Sequence, residues 1–272
     1  MTTTIGLIAT GQCEHLALAA SLQRVFADHD VQFTMMYASP ADSITSGFVS
    51  YPAPVRPVGV KTVAERLVDR MAAAFESRTR PAFVFAVDDL ELDNIAPPGN
   101  VTGVVRDAVL GVLGKSPTHA HVAWFRGRCS LHLLCPMLET YFYGEPAALV
   151  RAGARRNAII AQNELEDFES GDVAYLTPAN EPRHAWRSAD RARHPKRYLR
   201  FLTQEDYRET RGGKDALAQL DWHQVFAHKP PGLAFAHALF HDLSDALAVP
   251  CPFQGAAHPE TARRANGVLR NL

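Results

Sequence analysis

Apolar residues recur along this chain at two different spacings, and the balance between them shifts near its middle. Residues 4–9 are a short apolar run with Ile5, Leu7 and Ile8, broken by Gly11, which predicts a buried strand. Leu18, Leu22, Val25 and Phe26 then recur at helical spacing, one stripe on a helix from Glu14 to about Ala27. Residues 31–37 predict a second strand, and residues 39–57, with four prolines, a loop or irregular insertion. Val60, Val63, Leu67, Met71 and Ala74 mark a second helix, residues 82–87 a third strand, and Val101, Val104, Val105, Ala108 and Val112 a third helix. Residues 119–125 alternate, with Ala120, Val122 and Trp124 on one side and His119, His121 and Phe125 on the other, and predict a fourth strand. Such alternation of strand and helix predicts an α/β fold: an open, mostly parallel sheet with helices on both faces.

The second half reads differently. Leu134, Met137, Leu138 and Tyr141 stripe a helix, and residues 147–150 start another. Residues 151–190 are polar and irregular, and helices are predicted over 198–202, 216–226 and 233–247. The expected division is an α/β domain over 1–150 and a mainly helical region over 151–272.

Composition narrows the function classes. The 272 residues hold 28 Lys and Arg against 29 Asp and Glu, a net charge of −1, which argues against a general electrostatic grip on nucleic acid or membrane but allows a local basic face. No apolar run approaches the roughly 18 residues of a spanning helix. The first residues, Met1-Thr2-Thr3-Thr4-Ile5-Gly6, lack the basic start and apolar centre of a signal peptide. Cys13, Cys129, Cys135 and Cys251 are scattered with no Cys-x-x-Cys, which disfavours a zinc ribbon or a disulfide scaffold. The glycine-rich loops of nucleotide hydrolases and dinucleotide enzymes are missing from the sequence. A cytoplasmic, non-membrane protein is expected.

In open α/β sheets, functional groups gather at the carboxyl ends of the strands, which directs attention to two turns. After the third strand comes Asp88-Asp89-Leu90-Glu91-Leu92-Asp93. Four carboxylates in six residues repel one another unless a divalent cation neutralises them, and Mg²⁺ takes oxygen ligands of this kind; the alternative is a solvated loop whose Asp caps the next helix. After the first strand comes Gly11-Gln12-Cys13-Glu14, where Glu14 either complements the helix dipole or faces Asp88 and Asp89 across the crevice. His132 and Glu139 are two helical turns apart, too far for one ion, so His132 reads as packing. His237 and His241 have a zinc-compatible spacing with no obvious third ligand beyond Asp245. Cys13 at a helix start is a weak candidate nucleophile, because no His or Asn partner is identifiable.

A first strand ending in Gly-x-x-Glu and a later strand ending in an acidic cluster resemble the Toprim fold, a Rossmann-like, metal-dependent module of topoisomerases and primases. More narrowly, the chain resembles a bacterial Toprim-related group akin to the nucleases of overcoming-lysogenization-defect type. Pro136-Met137-Leu138-Glu139-Thr140-Tyr141-Phe142-Tyr143-Gly144-Glu145 and His194-Pro195-Lys196-Arg197-Tyr198-Leu199 carry that likeness. The resemblance implies a Mg²⁺- or Mn²⁺-dependent nuclease, held beside an ATPase partner in some relatives and linked to antiphage defence. It also implies a metal site of Asp88, Asp89, Glu91 and Glu14, with Glu14, Lys196 and Arg197 in catalysis. Gly11, Glu139, His194, Lys196 and Arg197 would bind substrate. The family pattern has a glutamate directly before the turn glycine, and this sequence has Thr10 there. A threonine does not accept a proton at neutral pH, so either Glu14 substitutes or the chain is a degenerate subunit that binds nucleic acid or a partner ATPase. Residues 183–200 add Arg183, Arg187, Arg191, Arg193, Lys196, Arg197 and Arg200, with Trp186 and Tyr198 among them. This basic stretch suits a nucleic-acid backbone or, paired with the acidic residues 164–172, a salt-bridged solvated face.

Overall fold

A computed structural model describes residues 2–42, 61–114, 118–161, 164–177, 191–227 and 232–272. Four strands form one all-parallel sheet in the order β2-β1-β3-β4, with β1 at Thr3–Ala9, β2 at Val31–Met35, β3 at Phe83–Asp89 and β4 at Cys129–Leu134. Ile5 pairs with Phe33 on one side and Phe83 on the other, and Val87 pairs with His132. Between the strands run α1 (Gln12–Val25), α2 (Val63–Glu76), α3 (Gly99–Leu113) and α4 (His119–Arg128). After β4 come α5 (Glu139–Phe142), α6 (Pro146–Arg151), α7 (Val173–Leu176), α8 (Pro195–Leu202), α9 (Lys214–Ala218), α10 (Trp222–Ala227) and α11 (Ala234–Leu247).

Side chains alternate across a strand, so β3 feeds two cores. Phe85 and Val87 join Leu18 and Leu22 of α1, Trp222 and Phe240 in one hydrophobic cluster. Val84 and Ala86 join Leu67 and Met71 of α2, Val105 of α3 and Trp124 of α4 in the other. The helices beyond residue 150 therefore share a layer with α1: α9 packs on α1, and the Trp222 indole N–H donates to Ser21 Oγ at 2.9 Å. Among the described residues no helix is long and apolar enough to cross a membrane.

Three elements differ from the sequence reading. Residues 119–125 lie in helix α4, capped by Thr118, whose hydroxyl accepts from His121 N at 3.3 Å. Only Trp124 and Phe125 of its ten residues are buried, whereas a strand of a parallel sheet covered on both faces is buried along its length. The fourth strand is Cys129–Leu134, all six residues buried. Ser130 and His132 interrupt its apolar pattern, and a partner more than a hundred residues away satisfies both: Asp242 of α11 accepts from Ser130 Oγ, and its carboxylate lies 3.2 Å from His132 Nε2. The helix expected around Leu134–Tyr141 is thus the end of β4, a turn through Pro136 and the single-turn α5. The predicted helix over 216–226 is two, because Asp221 caps α10 by accepting from His223 N at 2.9 Å.

β4 is one of the sheet's two edges, and Asn271 covers it. Asn271 Oδ1 accepts from Leu131 N at 3.1 Å and its amide donates back to Leu131 O, a side chain standing in for a neighbouring strand. Beside it, Arg270 donates to Asp242 at 2.8 Å, a buried ion pair. Burial alone would raise the Asp242 pKa, but His132, Arg270 and Ser130 together hold it down at about 2. With its folded pKa below its ordinary 3.8, Asp242 contributes stability that is complete above that pH and lost as the pH falls through 2. Asp242→Asn should cost about 3 kcal/mol at neutral pH, since it removes the buried carboxylate shared by Arg270, His132 and Ser130 and leaves Arg270 only the half-exposed Asp245. Urea melts at pH 7 and between pH 4 and 2 should show that deficit shrinking in acid; an unchanged midpoint would remove this pair from the fold's support.

Candidate metal centre at the carboxyl edge of the sheet

The ends of β1 and β3, the starts of α1, α5 and α8, and the turn before α9 enclose a cleft of about 230 Å³. Glu14 enters from the first turn of α1, Asp88 and Asp89 end β3, and Glu91 follows them. Glu139 opens α5, Lys196 lies in the first turn of α8, and Glu209 comes from a five-residue π-helical turn, Glu209–Gly213. Six carboxylates thus line one cavity with a single ammonium group among the described residues.

Each is held by its surroundings. Thr10 Oγ1 donates to Asp88 Oδ1, and both are buried. Asp89 Oδ1 accepts from Leu138 N at 2.8 Å, fixing the start of α5 to the end of β3. Glu139, 2 % exposed, accepts from the Tyr207 hydroxyl at 2.9 Å and lies 3.6 Å from Lys196 Nζ, which also pairs with Glu209. Gly11 matters for room: its φ of −86° suits any residue, but a methyl there would collide with the Glu14 carboxyl, which folds back over the start of α1. Glu91 has φ 61° and ψ 153°, a backbone region costly for a side-chain-bearing residue. It is kept there by Glu91 N donating to Pro136 O at 2.7 Å and Asn94 N donating to Glu91 O at 3.1 Å. Strain of this kind collects at sites where side-chain position outweighs stability.

The electrostatics follow from this crowding. Burial, then Glu139 and Glu209, push the Glu14 pKa up to about 7 against the opposing pull of its own backbone N–H and Lys196. Burial, then Glu139 and the neighbouring aspartates, raise Glu91 to about 7 despite Lys196. Asp89 is driven well above its ordinary value by burial and by Glu14, Glu139 and Glu91. Burial works against the charge of Lys196, but Glu139 and Glu209 hold it firmly protonated.

The structure therefore brings together Gly11, Glu14, Asp88, Asp89, Glu91, Glu139 and Lys196. It does not bring His194 or Arg197 to the walls of this cleft. His194 is buried, its pKa pressed down to about 4 by burial and by Lys196 and Arg197, and its Nδ1 accepts from Arg197 N at 3.4 Å as the cap of α8. Asp93 is exposed outside the cleft. Cys13 lines the cleft, but burial and Glu14 push its thiol well above the ordinary value, the reverse of an activated nucleophile. His132 stacks on Phe85 within the core, and Asp245 is engaged by Arg263 and by Arg270. Within the basic stretch, Arg183, Trp186 and Arg187 lie outside the described residues. Arg193 pairs with Asp167 at 2.8 Å, in keeping with a salt-bridged face at that point. Sequence reasoning missed Glu209 and Tyr207, which sit in an irregular segment without periodicity.

No family model matches the sequence, no curated protein matches it, and no solved structure matches.

The donor set fits a hard divalent cation: it is rich in carboxylate oxygen, with crowded negative charge that a cation, or bound protons, would relieve. As the side chains stand, no three His, Cys, Asp or Glu among the described residues are gathered as a metal-holding group. Without a cation, the elevated carboxyl groups set a pH dependence. The folded chain holds these protons more tightly than the unfolded chain, so their contribution is fully favourable below about pH 4.5 and is lost as the pH rises through 7. Glu14→Gln should therefore stabilise the protein at pH 8 in EDTA by on the order of 1–3 kcal/mol, and by almost nothing at pH 4. Thermal melts of both proteins at the two pH values measure this, and a variant no more stable than the parent at pH 8 would contradict it.

Proposed function

We propose that this chain is a Mg²⁺- or Mn²⁺-dependent nuclease that hydrolyses phosphodiester bonds, built on a Toprim-like sheet. The observation that carries the reading is the convergence of six carboxylates and one lysine at the strand ends. That arrangement destabilises the protein unless it serves a cation and an anionic substrate.

Asp88, Asp89, Glu91 and Glu14 are the residues that would hold the cation, which when bound polarises a phosphate and stabilises the leaving oxygen. The Asp88 carboxylate is oriented by Thr10, and the Asp89 carboxylate by the backbone of Leu138. Glu14, whose carboxylate enters the cleft from the first turn of α1, would orient the attacking water or take its proton at a carboxylate oxygen. Lys196 keeps its charge and offers it to a phosphate oxygen. Glu139 and Glu209 hold the Lys196 ammonium at the cleft wall, and Tyr207 steadies Glu139.

A second reading is favoured by one contact. Thr10 occupies the place of the family's glutamate and commits its only hydroxyl proton to Asp88. It is a positioning group and not a base, which supports a cleft that binds a cation and nucleic acid, or an ATPase partner, with little hydrolysis.

Cleavage of single- and double-stranded DNA and RNA in Mg²⁺ or Mn²⁺ separates the two. The nuclease reading expects metal-dependent cleavage that falls by about 10²–10⁴ in Glu14→Gln and is lost in Asp89→Asn. Nucleic acid bound without cleavage, with cleavage appearing in Thr10→Glu, supports the degenerate subunit. Neither binding nor cleavage of any of the four substrates would overturn both.

A further inference from the structure

The acidic cleft does not close on itself. It opens past Gln12, Lys196 and Glu209 into a second, shallower groove of about 360 Å³, completed by Arg200, Tyr207, Arg208 and Thr210. The balance of charge shifts between the two. The first cavity is lined by six carboxylates and one ammonium, whereas the groove is lined by Lys196, Arg200 and Arg208 and by one carboxylate, Glu209, which pairs with Lys196. Arg208 is exposed, and its guanidinium is braced by the carbonyls of Glu205 and Tyr207 at 2.9 and 2.8 Å. Those hydrogen bonds fix its position without neutralising it. Arg200 lies 3.4 Å from the largely exposed Glu205, a surface pairing of little strength. Lys196 stands at the junction and is common to both cavities.

We infer that this groove carries the phosphodiester backbone next to the scissile bond, so that the substrate is a nucleic-acid strand and not a mononucleotide. The inference rests on the nuclease reading of the adjoining cleft. A ligand that suits both cavities needs one phosphate at the cation-dependent acidic site and further negative charge a short distance along the same chain. A polynucleotide strand repeats its charge in that way, and a mononucleotide has nothing to place under Arg200 and Arg208. Cationic groups such as those lining the groove position a strand through its phosphates without reading its sequence.

The test is fluorescence anisotropy of labelled mixed-sequence DNA and RNA oligonucleotides, in Ca²⁺ and over a salt series. It compares the parent with Arg200→Ala/Arg208→Ala and with Arg208→Glu alone. The exposed single reversal keeps the experiment informative if the double variant does not fold. Both variants should keep the parent's Ca²⁺ affinity and melting temperature. Affinity for the oligonucleotide should fall at least several-fold. For the double variant the logarithmic salt dependence should become shallower by about 1.5, at roughly 0.7–0.9 for each phosphate no longer neutralised. A mononucleotide competitor should fail to displace the strand. Strand binding by the parent with unchanged affinity and salt slope in the folded variants would overturn the groove and leave the nuclease reading standing. Equal displacement by the mononucleotide would also overturn it, in favour of a small phosphorylated substrate. A parent that binds no oligonucleotide would take down the nuclease reading and the groove together.

Discussion

Repulsion among the carboxylates at the ends of β1 and β3 is the constraint around which the rest of this molecule is arranged. Like charges in a recessed, poorly solvated cleft either bind protons, attract a cation or push the surrounding structure apart. Here the chain opposes that last outcome with specific contacts. The Thr10 hydroxyl holds Asp88, the Leu138 backbone Asp89, the Tyr207 phenol Glu139, and the Lys196 ammonium both Glu139 and Glu209. These groups come from opposite ends of the sequence, which is why the helices after residue 150 are needed to complete a site that β1 and β3 begin.

The two cores show what supplies the rigidity. One face of the sheet packs on α2, α3 and α4 in a single hydrophobic cluster. The other packs on α1 and the late helices, and delivers α8, with Lys196, and the turn bearing Glu209 to the cleft. The Asp242–Arg270 pair and the Asn271 edge contact anchor β4 from the far side. The fold thus places its strong interactions away from the cleft and its unfavourable ones within it, the distribution expected where function is bought with stability.

Much of the site was legible in the sequence, because the rule that α/β sheets present their chemistry at strand ends needs only the strands to be located. Gly11, Glu14, Asp88, Asp89 and Glu91 follow from it directly, and all five line the cleft. Glu139 and Lys196 came from short motifs and lie there too, whereas His194 and Arg197 of the second motif serve and flank the start of α8. Glu209 and Tyr207 were illegible: a π-helical turn and the loop before it have no repeat that marks one side chain as inward. The exchange of strand and helix around residue 129 has a similar cause. Ser130 and His132 look out of place in a buried strand until Asp242, far along the chain, is known to satisfy them.

The most direct measurement is calorimetric titration of Mg²⁺ and Mn²⁺ into the metal-free protein and into Asp89→Ala/Glu91→Ala at pH 8, with and without a non-cleavable phosphorothioate oligonucleotide. The account predicts cation binding by the parent, strengthened by the oligonucleotide, and its loss in a variant that remains folded and melts at the same or a higher temperature. Binding of neither cation by the parent in the presence of the oligonucleotide, or undiminished binding by the folded variant, would contradict the assignment of this cleft as a metal centre.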